Sequence, residues 1–298
     1  MKPVVACAII AAVAAVAVPA LARPGRGPEV EIRHAVARVA VIAEDRADIA
    51  VEVEQGTSGL PAVQVSRVGN AVRIDGGLRR RGFLNRGDGI RECRSGSDGA
   101  RRPGEGASVM VRDHGRINIP DAPLIVIRTP RDVNVDASGA VFGSVGRGAA
   151  SVELGNSGCG TWNVANTEGP VSLRIAGTGD IRAGTSTALD VSLSGAGSVT
   201  AGATRELDIS VSGVGDIVIA RVDGPADISL SGAGDVAVRA GTSPNLNISI
   251  AGVGDVDFDG VAGDVDISLA GAGDVSIARA TGSVSRSVAG AGDIRIGS

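Results

Sequence analysis

An aspartate recurs at a nearly constant interval through the second half of this 298-residue chain. It stands three residues after the first glycine of a repeated Gly-x-Gly-Asp motif, at Asp180, Asp216, Asp235, Asp255, Asp274 and Asp293. Regularly spaced carboxylates suit Ca²⁺, which prefers oxygen ligands, so Asp235, Asp255 and Asp274 are candidate calcium ligands. The alternative, which we favour, is that the carboxylates accept hydrogen bonds from backbone N–H groups of the turns. The nine-residue Gly-Gly-x-Gly-x-Asp period typical of calcium-binding solenoids does not occur in this sequence.

A second acidic column lies five residues before the first glycine of the motif. It consists of Asp190, Asp208, Asp227 and Asp266, with Asn247 in the fourth place. If the repeats stack about 5 Å apart, neighbouring carboxylates repel each other by about 0.8 kcal/mol per pair even in water. The sequence therefore predicts that other contacts offset this repulsion.

Other residue types that carry chemistry are sparse. His34 and His114 are the only histidines, and neither stands in a catalytic-triad pattern or at metal-ligand spacing. The Gly-x-Gly motifs recur between predicted strands and open no helix, so they do not predict a dinucleotide site. A net charge of −4 and only three Phe and one Trp argue against a nucleic-acid partner. We therefore predict no catalytic residues, no cofactor and no metal site beyond the calcium candidates.

The first 22 residues have the pattern of a secretory signal peptide. Lys2 supplies the positive charge, residues 4–18 are apolar, and Ala20-Leu21-Ala22 is a cleavage site of the A-x-A type. The alternative is an uncleaved N-terminal anchor, because the apolar run is nearly long enough to cross a bilayer. The sequence predicts export, with no membrane span after cleavage.

Two cysteines follow the signal peptide, Cys93 and Cys159. In an oxidising compartment such a pair predicts one disulfide. It would close a loop of about 67 residues and stabilise the fold by about 4 kcal/mol on the chain-entropy model. The alternative is two unpaired thiols.

The charge divides the remaining chain into two parts. Residues 23–131 carry 19 Arg against 14 Asp and Glu, a net charge of +5, whereas residues 132–298 carry 9 Arg against 19 acids, a net charge of −10. Short alternating apolar segments predict an irregular, β-rich N-terminal part over 23–131. Within it, residues 76–106 are rich in Gly, Arg and Ser and predict a long exposed loop.

From residue 132 onward, the chain repeats every 18 to 20 residues. In each repeat apolar residues stand four and two places before the first glycine, with a hydroxyl residue between them, and another apolar residue stands four places after it. This period-2 alternation predicts two short strands joined by a tight glycine turn. Such a unit can bury its apolar face only against its neighbours. The sequence thus predicts an all-β fold, a β-solenoid or parallel β-helix with coils of about 19 residues over 132–298.

The opening strands, the segment PDAPLIVIRTP at 120–130 and the repeated units of the type ISLSGAGDV resemble the auto-transporter adhesin head, or GIN domain, family. The likeness covers residues 29–298. The resemblance implies an exported bacterial β-solenoid, and the family name suggests adhesion. It implies no catalytic residues.

These observations predict a non-enzymatic cell-envelope protein in the periplasm or on the surface of a bacterium, working by surface contact or adhesion. One alternative is a β-helix that binds or cleaves polysaccharide, and another is a cation-binding structural solenoid. The partner is predicted to be an envelope or extracellular surface component. The strand edge of the last coil is expected to be unpaired, and only Arg286 and Arg295 add charge that would deter pairing there. The sequence therefore also predicts weak end-to-end self-association.

Overall fold

The computed structural model describes residues 28–78, 89–96 and 104–297 and is built almost entirely of β-strands. The predicted signal peptide and residues 79–88 and 97–103 of the predicted loop lie outside the described residues. In the described parts of the chain, no helix combines the length and the hydropathy that a membrane span requires.

Within the described residues, twenty-four strands and one 3-10 turn follow one another along the chain. The N-terminal part contains β1 (Glu29–Ala43), β2 (Ala50–Glu54), β3 (Gln64–Val68), β4 (Ala71–Asp75), β5 (Ile90–Arg94), β6 (Ser108–Val111), β7 (Gly115–Asn118), the 3-10 turn (Ile119–Asp121) and β8 (Leu124–Thr129). The next strands are β9 (Asp132–Val145), β10 (Ser151–Asn156), β11 (Cys159–Val164), β12 (Val171–Ile175), β13 (Thr178–Ala183), β14 (Leu189–Leu193), β15 (Val199–Thr204) and β16 (Leu207–Val211). The last are β17 (Ile217–Asp223), β18 (Ala226–Leu230), β19 (Val236–Val238), β20 (Gly241–Ile250), β21 (Val256–Leu269), β22 (Val275–Ala280), β23 (Val284–Val288) and β24 (Ile294–Ile296).

Each strand of the repeat region pairs in parallel with the equivalent strand one coil away. The strands before the glycine turn form one ladder, in which β10, β12, β14, β16, β18 and β20 follow one another. The strands after the turn form a second ladder through β11, β13, β15, β17 and β19. The predicted β-solenoid is confirmed, with about nine coils spaced about 19 residues apart.

The apolar columns of the repeat fill the interior. Ile228, Ile248 and Ile267 are paired in register and are at most 2% exposed, whereas the intervening Ser229 and Ser249 face solvent. Alternation along each strand therefore sends one set of side chains inward and the other outward. Because every inward residue lies against its equivalent in the next coil, the core is continuous along the whole solenoid.

The two ladders meet at the glycine turn, where a side chain on one coil would collide with the backbone of the coil before it. A Cβ atom on Gly232 would lie 2.0 Å from the carbonyl oxygen of Gly213, in the coil before it. A Cβ atom on Gly234 would lie 2.1 Å from the equivalent oxygen of Gly215, and the φ of Gly234 is +139°. Only glycine fits both the spacing and the backbone angle, so Gly-x-Gly recurs in each coil from Gly158 to Gly292.

The first strand of the chain is not the first layer of the solenoid. One edge of β1 pairs with β9. On its other edge, the first half of β1 pairs with β4 and the second half pairs with β8. β1 forms one coil, and β4 and β8 stack on one side of it as the end of the solenoid. The chain then continues on the other side of β1 with β9. Antiparallel pairing of β2 with β8 and of β3 with β4 then ends the parallel ladders.

The prediction of one long exposed loop over residues 76–106 is wrong at residues 90–94, which form a strand. Residues Ile90–Arg94 form β5, which joins β6 and β7 in a separate antiparallel sheet. Leu78 and Gly104 at the two ends of the segment are buried.

The predicted disulfide is present. Cys93 of β5 is bonded to Cys159 of β11, with 6.3 Å between the two Cα atoms. This distance is normal for a disulfide. The bond attaches the small sheet to an early coil of the solenoid.

The last coil is the most exposed part of the repeat region. Every residue of β23 is exposed, including Val284 at 37% and Val288 at 51%, and Arg286 pairs with Ile267 in the apolar column. Weak end-to-end self-association through this coil stays a prediction.

Ile248→Asp is expected to reduce the free energy of unfolding by at least about 3 kcal/mol, because it places an unpaired carboxylate in the core. The neighbouring change Ser249→Asp adds the same group on the solvent side and is expected to cost less than about 1 kcal/mol. Urea unfolding at neutral pH measures both. Equal losses would mean that the inward and outward faces are assigned wrongly.

Replacing both Cys93 and Cys159 with Ser is expected to lower the free energy of unfolding by about 4 kcal/mol, because the unfolded chain regains the freedom of a long loop. Mass spectrometry of the unreduced protein tests the bond itself, and two free thiols would contradict it. Reduction of the wild-type protein without substitution provides the control for packing changes at the two positions.

Candidate functional site

The outer surface of the first ladder carries two straight rows of polar side chains, which we call the Asp–Ser face. One row contains Asp208, Asp227, Asn247 and Asp266, and the other contains Ser210, Ser229, Ser249 and Ser268. All of them are exposed. Since parallel strands stack equivalent residues in register, the same pair of groups is presented about every 4.8 Å along the axis.

A shallow, open groove of about 300 Å³ runs between these two rows. Its walls are the Asp and Ser side chains, and the strand backbone at Ile209, Ile228 and Ile248 forms its floor. Residues two apart on a strand are separated by about 6.7 Å, which sets the width of the groove. The groove offers hydrogen-bond acceptors and hydroxyl donors along a straight line.

Partial burial and neighbouring carboxylates perturb Asp208, the first residue of the Asp row. The pKa of Asp208 is raised above 3.8, first by partial burial and then by the carboxylates of Asp190 and Asp227. Asn247 interrupts the row of charges, and its Nδ2 donates a 2.6 Å hydrogen bond to the Oδ1 of Asp227. An amide in the row thus replaces repulsion with a hydrogen bond.

The face changes character toward the N-terminal end of the solenoid. Arg174 occupies the position of the serine row and pairs with Glu153, which occupies the position of the Asp row. This ion pair raises the pKa of Arg174. The uncharged serine row therefore begins only after Arg174, at Ser192.

The aspartates that follow the glycines form a different structure at the corner of the coils. The Oδ1 of Asp235 accepts a hydrogen bond of 2.9 Å from the backbone N–H of Asp255, and the Oδ1 of Asp255 accepts one of 2.7 Å from the N–H of Asp274. The Oδ1 of Asp216 and of Asp274 do the same for the N–H groups of Asp235 and Asp293. We call this arrangement the corner Asp ladder.

The three candidate calcium ligands all belong to the corner Asp ladder. Asp235, Asp255 and Asp274 each use one carboxylate oxygen to bind the backbone of the next coil, as the favoured alternative required, although between coils rather than within one turn. Among the described residues, no group of three or more His, Cys, Asp or Glu side chains is arranged to hold a metal ion.

Asp274 and Asp264 are two of the carboxylates outside the Asp row whose pKa lies below 3.8. The pKa of Asp274 is lowered mainly by the N–H of Asp293 and then by Arg295. The pKa of Asp264 is lowered by the hydroxyl and then by the backbone N–H of Ser283, both of which donate to its Oδ1. In both cases hydrogen bonds favour the ionised form.

The two histidines lie in separate parts of the fold. His34 is in β1 with a φ of +49°, and its carbonyl oxygen accepts a hydrogen bond from the N–H of Leu78. His114 lies in the turn between β6 and β7. The structure brings neither of them to the Asp–Ser face.

Sequence reasoning found both acidic columns and the serine column but not the groove that two of them enclose. The signal was present, because the Asp and Ser columns are two residues apart in every repeat and so must share one face. Sequence reasoning also missed the small sheet, since the strands β5, β6 and β7 lie in a segment without the repeat.

The change from Asp to Asn is expected to have opposite effects at two positions. Asp264 has a lowered pKa, so its charge stabilises the fold above the ordinary pKa and Asp264→Asn lowers the melting temperature at pH 7. Asp208 has a raised pKa, so its charge opposes folding and Asp208→Asn raises the melting temperature. The Asp208→Asn change is expected to raise the free energy of unfolding by only about 0.2–1 kcal/mol, because the side chain is largely exposed.

The Asp208 difference is expected to shrink as the pH falls toward 3.8, because the raised pKa makes the folded wild type take up this proton first. The Asp264 difference is expected to shrink only as the pH falls below 3.8 through its lowered pKa. Melting curves at pH 7 and pH 3 measure this. Shifts of the same sign at pH 7, or shifts that do not depend on pH, would contradict the assignment.

None of the curated proteins matches this chain. A family model does match its C-terminal coils, which carry the corner Asp ladder and much of the Asp–Ser face. Residues 224–297 match the family described as "Putative auto-transporter adhesin, head GIN domain", and the match confirms over these residues the resemblance that the repeated units indicated.

Proposed function

We propose that this protein is an exported, non-enzymatic component of the cell envelope that works by surface contact through the Asp–Ser face. The observation that carries the proposal is the repetition of this face. Exposed Asp or Asn and exposed Ser recur in register in successive coils on one straight surface.

A repeated surface suits contact better than catalysis. An enzyme needs different groups that converge on one reacting bond, whereas this face presents the same two groups about every 4.8 Å. The carboxylates with lowered pKa are already engaged, because Asp264 and Asp274 accept hydrogen bonds from the next coil. The face can therefore bind an extended or repeating surface through many weak polar contacts.

The family match supports the same proposal. Residues 224–297 match a family described as an adhesin head, and a disulfide suits a protein folded outside the reducing cytosol. Together with the signal peptide predicted over residues 1–22, these features favour the periplasm or the surface of a bacterium.

Polysaccharide binding is a second candidate, and the groove favours it. The groove is open and straight and is lined by hydroxyl, carboxylate and amide groups of Ser229, Ser249, Asp227 and Asn247. Sugar hydroxyls form hydrogen bonds with such groups. A chain of sugars along the groove could contact several coils at once.

Attachment of beads coated with the full chain to intact bacterial cells tests the proposal. The variant with Ser229→Arg and Ser249→Arg fills the groove with two long side chains and is expected to lose at least about nine-tenths of the attachment. The matched control places the same residues at Thr200 and Thr242, which are exposed on other faces, and is expected to attach like the wild type.

Two further measurements separate the candidates. Saturable binding to a purified envelope polysaccharide with no release of reducing ends would favour polysaccharide binding, and release of reducing ends would contradict a non-enzymatic role. Antibody raised against the folded protein should label intact cells or, for a periplasmic location, only cells with a permeabilised outer membrane. Equal attachment of wild type and groove variant would refute contact through this face.

A further inference from the structure

The middle residue of each Gly-x-Gly turn lies at the corner of its coil. These residues, with their equivalents in the two earlier coils, form a third column, the corner column. Registered pairing runs from Val36 to Ala140, then to Cys159 and to Thr178. Isolated bridges continue it to Ala196, Val214, Ala233, Val253, Ala272 and Ala291. The column is therefore one continuous line of small and aliphatic residues along the solenoid.

The chain itself covers the first part of this column. The sheet of β5, β6 and β7 packs Val109, Val111 and Ile117 into one apolar cluster with Val36 and Ala140. In this cluster Val36 is 3% exposed and Ala140 is fully buried. The disulfide at Cys159 attaches the sheet at the third position of the column.

Beyond Cys159 the same column reaches the surface. Val214 is 60% exposed and Val253 is 61% exposed, although they occupy the positions equivalent to Val36 and Ala140. The glycines on either side carry no side chain that could shield them. From Thr178 to Ala291 the exposed column is about 29 Å long at the coil spacing, which is enough for a β-hairpin to lie on it.

The charges beside the column favour a basic partner. The corner Asp ladder runs next to the exposed part, with Asp216, Asp235 and Asp255 exposed. The sheet that covers the first part carries exposed Arg91 and Arg94, and exposed Arg116, which also pairs with Glu92 of the same sheet. An aliphatic face with an arginine rim thus matches both the column and the acidic row beside it.

The covered and exposed parts adjoin at a groove of about 370 Å³ between β5 and the glycine corner. It is lined by Arg91 and Cys93 on one side and by Gly158, Gly177 and Thr178 on the other. The exposed column is therefore continuous with an interface that the chain already uses.

We propose that the corner column from Thr178 to Ala291 is a docking surface for an amphipathic β-hairpin of another protein, with aliphatic residues on one face and arginines at its rim. The hairpin binds as the sheet of β5, β6 and β7 binds to the first coils. This surface is distinct from the Asp–Ser face, so the two proposals succeed or fail separately.

The test uses a defined probe, a fluorescein-labelled cyclic peptide with the sequence of Ser108–Asn118 closed by a D-Pro-Gly turn. Closure keeps the hairpin formed, because an isolated two-stranded hairpin is only marginally stable. Fluorescence anisotropy is measured while the full chain is added. We expect saturable binding that weakens with added salt, since the rim contacts are ionic.

The decisive comparison uses two pairs of substitutions with the same added charge. Val214→Asp with Val253→Asp is expected to weaken binding at least about tenfold, because it places carboxylates in the apolar contact. Thr200→Asp with Thr242→Asp, on exposed positions away from the column, is expected to bind like the wild type. All four positions are exposed, and circular dichroism of each variant serves as the check that it is folded.

Two results would overturn the proposal. Binding that does not saturate, or that is equal in the Val214/Val253 variant and the wild type, would show that the corner column does not hold the hairpin. Sedimentation of the chain alone that shows self-association, lost only in the Val214/Val253 variant, would assign the column to a second copy instead.

Discussion

The close approach of successive backbones at the glycine corner is the constraint on which the rest of this structure depends. Parallel hydrogen bonding sets the coils about 4.8 Å apart, and at the corner this spacing leaves no room for a Cβ atom at Gly232 or Gly234. The two glycines let each coil turn tightly enough to send both of its strands into the ladders. The inward columns then stack residue on residue, so the core of the described residues is built mainly from Val, Ile and Leu.

Because the coils stack in register, a charged residue at one position of the repeat recurs in neighbouring coils. The equivalent charges then repel one another. The two acidic columns answer this repulsion differently. At the corner, each carboxylate accepts the N–H of the next coil, as Asp235 does from Asp255. In the Asp row no such donor is available to Asp208, whose pKa is raised, and the neutral Asn247 interrupts the charges. One column thus holds coils together, while the other is left on the surface, where it is able to contact a ligand.

The N-terminal part ends the parallel ladders and covers part of the corner column. Antiparallel pairing of β2 with β8 and of β3 with β4 ends the two ladders at one end, which limits pairing with other chains at that edge. The small sheet covers the corner column over the first coils and is held there by the disulfide. Where this cover stops, Val214 and Val253 become exposed, so the boundary of the cover defines the docking surface that we propose.

The repeat determined much of this protein by itself. Alternation around Ser249 predicted which side chains point inward, and the period of about 19 residues predicted coils, because periodicity is a local property that stacking preserves. Cysteine parity and the predicted export indicated the bond between Cys93 and Cys159. The fold of the repeat region and the identity of both acidic columns could therefore be predicted from the sequence.

Only the tertiary structure decided how unlike segments meet. The insertion of β1 between β9 and the pair β4 and β8 depends on contacts between residues far apart in the chain, which no local pattern encodes. The same holds for β5, which pairs outside the repeat and lies in a segment whose composition resembles a loop. The groove of the Asp–Ser face and the exposure of Val214 also depend on what lies beside them in space, since burial is decided by the neighbours a residue acquires on folding and not by the residue alone.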